Sequence, residues 1–248
     1  MDRTSTPDRR VPVGRPGVSW GLGDFCWVYF GGIVLSVLLG GIGYAVTGDK
    51  AGDPGALTIG LTLLGQFGGW ILGLILVSRY KGRGTLRADF GLVVHRRELW
   101  LIGMGVVLEV ALALMVYPIA HLVQNEKQSV VNELDKAHGL KLAILVLVAG
   151  LLAPVCEELL FRGLLLRSLQ RRFSAVVAVA VSALVFALAH PALDPHWGTF
   201  AAVPALFALG AVSGAVAVRR GNLSASIYLH IGFNLLTTVG AVIDALKK

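Results

Sequence analysis

The sequence predicts an all-α fold: a polytopic transmembrane bundle of about seven spans, N-terminus inside and C-terminus outside. Three observations carry this. Of 248 residues, 55% are hydrophobic, only 15% are charged, and the mean hydropathy is +0.73. A soluble domain of this length needs far more polar surface. Apolar stretches long enough to cross a bilayer recur along the whole chain. They are apolar on every side, whereas the strands of an outer-membrane barrel alternate.

The elements follow in order. Residues 1–20 hold Arg3, Arg9, Arg10 and Arg15 and no apolar core, so they predict a basic cytoplasmic tail and no cleavable signal peptide. Candidate spans follow at 24–46, 56–78, 100–123, 142–168, 174–194, 199–218 and 223–246. Residues 21–98 group two spans with a basic linker at 79–98, and 99–248 form a five-span unit. The connection 124–139 carries little net charge and reads as a short external loop or interfacial helix.

Lysines and arginines set the orientation, because cytoplasmic loops collect them. With the N-terminus inside, 15 of the 22 fall on the inner side, among them Arg79, Lys81, Arg83, Arg87, Arg96 and Arg97 in the linker. The terminal pair Lys247–Lys248 lies on the other side and opposes this count. The net charge of +7 belongs to these loops, so no nucleic-acid partner is expected. Cys26 and Cys156 both lie in apolar runs and give neither a disulfide framework nor a thiolate metal site. The expected location is the cytoplasmic (inner) membrane of a bacterial cell.

Ionisable groups within the hydrocarbon layer are costly and default to functional candidates. Span three holds Glu109 and His121, span four Glu157, Glu158 and Arg162, span five His190, and span seven His230, Asn234 and Asp244. Glu158 and Arg162 stand four apart, share a helix face and can pair. Glu157 is turned about 100° away, which leaves it free of that arginine. Phe186 and His190 are four apart, as are His230 and Asn234. A long span four brings Glu157 near the depth of His190 and His230. A polar cluster of Glu157, His190, His230 and Asn234 is therefore expected in the inner half of the membrane. Pro154 removes a helical hydrogen bond just before the glutamates, and a bend there can open a wet cavity. Asp244, His121, His196 and Trp197 sit at span ends or in a short loop and read as boundary residues.

A glutamate, two histidines and an amide around one wet cavity suit water activation. The glutamate serves as general base, a histidine orients the water, and the second histidine and the asparagine donate to an oxyanion. Glu157, His190 and His230 are also a sensible three-ligand zinc set, though no HExxH motif accompanies them. Residue types alone leave the metal-free and zinc accounts both open.

EELLFR (157–162), FALAH (186–190) and HIGFN (230–234) match EExxxR, FxxxH and HxxxN in order, each on its own apolar span. The sequence thereby resembles the CPBP family, also called ABI, of CAAX prenyl proteases and bacteriocin-processing intramembrane endopeptidases. The resemblance covers about residues 142–240, the expected catalytic core. It implies a helical membrane fold whose catalytic cavity opens toward the cytosol and the bilayer. It implies that Glu157 activates water with help from His190, that His230 and Asn234 form the oxyanion site, and that Glu158, Arg162 and Phe186 support them. It implies a metal-free glutamate protease, with no cofactor. The substrate is then a membrane-associated peptide or protein, with or without a lipid modification. The abundance of Gly, Ala, Val and Arg suggests a GC-rich bacterial genome, where prenylated substrates are not expected. Other readings are a non-proteolytic scaffold or immunity-type protein on the same fold, a zinc-dependent version of the protease, and a proton-coupled transporter. The transporter would show repeated halves, which this sequence lacks.

Overall fold

The computed structural model describes residues 17–50, 52–122, 129–195 and 197–247. The Arg3–Arg15 part of the basic tail, His196 and the side chain of His121 lie outside the described residues. Among the described residues, seven helices are long and apolar enough to cross a membrane. They are α1 (Leu22–Thr47), α2 (Ala56–Lys81), α3 (Leu101–Leu122), α4 (Gly139–Leu169), α5 (Ala175–Leu193), α6 (Trp197–Arg220) and α7 (Ser224–Leu246). The expected span boundaries agree with these within a few residues. Short helices Leu86–Phe90 and Ser129–Lys136 lie in the two longest connections.

Helix α4 is the axis of the bundle. Its 31 residues span about 46 Å at 1.5 Å per residue, more than the roughly 30 Å hydrocarbon layer. It is not a regular helix. Val148–Leu152 and Glu158–Leu166 are π-helical, with i→i+5 hydrogen bonding, and a regular turn Ala153–Glu157 lies between them. Such wide turns gather at functional sites. Every residue from Glu158 to Leu166 is buried, so this half of α4 meets protein rather than lipid on all sides.

One hydrophobic core runs through all seven helices. It joins Phe25 and Tyr29 of α1, Trp70 of α2, Leu101 of α3, Phe161 of α4, Phe186 of α5, Leu206 of α6 and Leu229 of α7. Aromatic contacts form its spine. Trp70 meets Tyr29 at 5.8 Å, Tyr29 meets Phe161 at 6.3 Å, and Phe161 meets Phe186 edge-on at 5.2 Å. Helices α3 and α7 approach through glycine. A Cβ on Gly232 would run into the backbone of Ile102, and one on Gly105 into the Leu229 carbonyl. Such small residues let membrane helices close at backbone distance.

The stretch expected to be a plain linker is docked beneath the bundle. Thr85 caps Leu86–Phe90 by accepting from the Ala88 N–H at 3.2 Å. Phe90 is fully buried against Gly163 of α4. Gly91 turns the chain in the left-handed region at φ 75°, and its carbonyl accepts from Leu223 N at 3.0 Å. Arg167 of α4 donates to the Asp89 carbonyl at 3.0 Å and to the Gly221 carbonyl at 3.3 Å. These contacts set the start of α7 level with the end of α4, and so set the depth of His230 against Glu158.

Candidate active site

The three sequence motifs converge where α4, α5 and α7 meet. Glu157 ends the regular turn of α4, and Glu158 opens the wide one. Arg162 lies one turn on, with Nη1 at 3.1 Å from Glu158 Oε1 and both side chains at 0% exposure. Its guanidinium also sits over the Phe186 ring, 4.3 Å from the centroid. Phe186 thus holds the cation from one side while the carboxylate holds it from the other.

His230 of α7 stands between the two glutamates. Its Nδ1 is 3.0 Å from Glu158 Oε1, and its Nε2 is 3.6 Å from Glu157 Oε2. The sequence reading paired Glu158 with Arg162 alone; here the histidine shares that carboxylate. The 100° between adjacent positions separates the Cα–Cβ directions, but an imidazole lying in the sector between them reaches both carboxylates. A polar chain results: Arg162, Glu158, His230, Glu157. Three members are buried, and Glu157 keeps 15% of its side chain exposed.

His190 is held by its own helix, α5. Its Nδ1 is 2.9 Å from the Phe186 carbonyl, four residues earlier on α5. A carbonyl only accepts, so Nδ1 carries the proton, and in the neutral ring Nε2 is the acceptor. Pro191 follows directly and α5 ends at Leu193.

Glu157 and His190 line a cavity of about 180 Å³, reached also by Tyr29 of α1, Gln66 and Trp70 of α2, and Asp194 after α5. At about 30 Å³ each, several waters fit. The two N-terminal spans therefore build part of the wall, although they lie outside the three motifs. Gln66 projects from a further π-helical stretch, Leu64–Gly68. Trp70 is locked by its indole N–H donating to the Tyr29 carbonyl at 3.1 Å.

His230 and Asn234 do not line this cavity as a pair of oxyanion donors. His230 is 3% exposed, with both nitrogens directed at carboxylates. The Asn234 amide N–H donates to the Ala149 carbonyl at 2.8 Å. In the i→i+5 register of Val148–Leu152 that carbonyl faces residue 154, a proline with no N–H to give. Asn234 supplies the missing donor.

Glu109, unassigned by the sequence, joins α3 to α7. Its carboxylate accepts from Thr237 Oγ1 at 2.9 Å and from Leu236 N at 3.2 Å. Among the described residues, no three His, Cys, Asp or Glu side chains converge into a set that could hold a metal ion, and the set Glu157, His190 and His230 is not gathered as one. Cys156 is buried packing beside the glutamates.

Residues 139–236 match the model of a known family, Rce1-like, described as type II CAAX prenyl endopeptidase Rce1-like. No curated protein and no solved structure matches the chain. The matched segment runs from the start of α4 into α7 and holds all three motifs.

Proposed function

From the premise that the chain carries an Rce1-like domain at residues 139–236, we propose an intramembrane endopeptidase in which Glu157 activates the attacking water. The observation that carries the reading is the placement of Glu157. It is the one member of the buried polar chain that faces the cavity, and it shares that cavity with His190.

The steps follow from the geometry. Glu157 takes a proton from a cavity water while Nε2 of His190 accepts its second hydrogen bond and aims its oxygen. The oxygen bonds to the scissile carbonyl carbon and gives a tetrahedral intermediate. Glu157 then returns the proton to the leaving nitrogen, the C–N bond breaks, and a carboxyl and an amine remain. His230 positions Glu157, and Glu158 with Arg162 positions His230. Asn234 keeps α4 in its wide-turn register above the glutamates. Oxyanion donation falls to the polar side chains of the N-terminal wall, Gln66 and Tyr29. No step is routed through a metal. The substrate is a membrane-associated peptide or protein. The positive-inside count supports placing the Leu86–Phe90 linker on the cytoplasmic side.

Protein termini compared proteome-wide in host cells carrying wild type or Glu157→Gln test this reading. The amide keeps the shape and cannot take the proton. New termini found only with wild type support the proposal. Identical termini, with both proteins equally inserted, count against it.

A further inference from the structure

A second cavity, of about 490 Å³, opens at the opposite end of the polar chain, between the docked linker and the ends of α4 and α6. Among the described residues, five arginines line it (Arg83, Arg87, Arg162, Arg167 and Arg171) against a single carboxylate, Asp89. That carboxylate is already used. It accepts from Trp20 Nε1 at 3.2 Å, Ser78 Oγ at 2.7 Å and Arg83 N at 2.8 Å.

Some of the arginines work on the fold. Arg167 bonds the Asp89 and Gly221 carbonyls, and Arg171 donates to the Trp20 carbonyl with its guanidinium 4.1 Å from the Trp20 ring centroid. Structural bonding does not account for the rest. Among the described residues, Arg83 makes one side-chain hydrogen bond, to the Ala88 carbonyl, and both Arg83 and Arg87 are exposed. Arg162 is the telling residue. It is 1% exposed, it lines this cavity, and its Nε and Nη2 have no hydrogen-bond partner among the described residues. Buried guanidinium N–H groups are costly to leave unmade. The planar fork of arginine matches phosphate oxygens two at a time.

We propose that this cavity binds a phosphate-bearing anion, held by Arg83 and Arg87 at its mouth with Arg162 at its inner wall. Two sources share that chemistry: the headgroup of an anionic phospholipid and free phosphate. In the orientation that the positive-inside count supports, the basic end of the bundle meets the anionic headgroups of a cytoplasmic leaflet. The inference stands apart from the hydrolytic reading, since it concerns binding and not cleavage.

The test is calorimetric titration of the full chain in neutral detergent at constant ionic strength. The probes are inorganic phosphate and short-chain phosphatidylglycerol. Wild type should show saturable binding of at least one. Arg83→Gln/Arg87→Gln should weaken it about tenfold or more, as expected for the loss of charge-assisted bonds. Arg96→Gln/Arg97→Gln, which removes the same charge from exposed positions outside the cavity, should leave it unchanged. Phosphate that displaces the lipid marks a free-phosphate site. Lipid binding that phosphate does not displace marks a headgroup site. No saturable binding of either probe to wild type overturns the proposal. So does equal weakening in both double variants, which would mean a diffuse basic surface.

Discussion

Arg162→Met should destabilise the protein more than any other single change near the site. The guanidinium lies 3.1 Å from Glu158 Oε1 and 4.3 Å from the Phe186 centroid, with both charged side chains at 0% exposure. Removing one partner of a buried pair strands the other charge, at about 3–5 kcal/mol. The desolvated cation–π contact adds about 2 kcal/mol, and a methionine sulfur near the ring returns about 1 kcal/mol of it. The expected loss is thus about 4–6 kcal/mol, a large share of the roughly 5–15 kcal/mol that holds a typical domain. Glu158→Gln/Arg162→Met removes both charges and keeps an oxygen to accept from His230 Nδ1. It should recover about 2–3 kcal/mol relative to the sum of the single changes. The assay is SDS-driven unfolding of the purified protein in detergent, followed by tryptophan fluorescence. Strict additivity of the two changes would refute the stranded-charge argument.

Further outcomes are expected elsewhere. Gly232→Val forces α7 off the Ile102 backbone. It should cost about 1–3 kcal/mol or more in the same assay, whereas Gly240→Ala, which meets nothing within 4 Å, should not register. Asp49 ties the preceding loop to the start of α2, accepting from Thr58 Oγ1 at 2.6 Å and Gly55 N at 2.7 Å. The Thr58 hydrogen bond first, then that of Gly55, holds its carboxyl below the usual range. Its stabilisation is therefore complete above the unfolded value of about 3.9 and is lost as pH falls through the lower folded value. Asp49→Asn should flatten that acid arm of the unfolding midpoint against pH. Cleavage by purified protein should survive chelation, with metal content well below one ion per chain by mass spectrometry.

Much of the architecture was legible because a span writes itself as an unbroken apolar run. The motif residues were legible for the complementary reason: charge in such a run demands a partner. Spacing of four paired Glu158 with Arg162, and Phe186 with His190, because those contacts lie within one helix. Contacts between helices left no such trace. The share of His230 in Glu158, the reach of Tyr29, Gln66 and Trp70 to Glu157 and His190, and the bond from Asn234 to Ala149 join residues at least 72 positions apart. The wide turns of α4 were equally hidden. An i→i+5 register has no compositional signature beyond a proline whose partner is missing, and from sequence Pro154 predicts a bend, not a vacancy that Asn234 fills.

The proposed hydrolysis rests on Glu157 as the base. The most direct measurement is the single-turnover cleavage rate of a substrate named by the terminus comparison, with wild type and Glu157→Gln each purified and reconstituted in vesicles. Glu157→Gln should lose about 100-fold or more, the scale of a general base, with the unfolding midpoint unchanged. A variant that cleaves within about tenfold of wild type would contradict it and move the base elsewhere in the cavity.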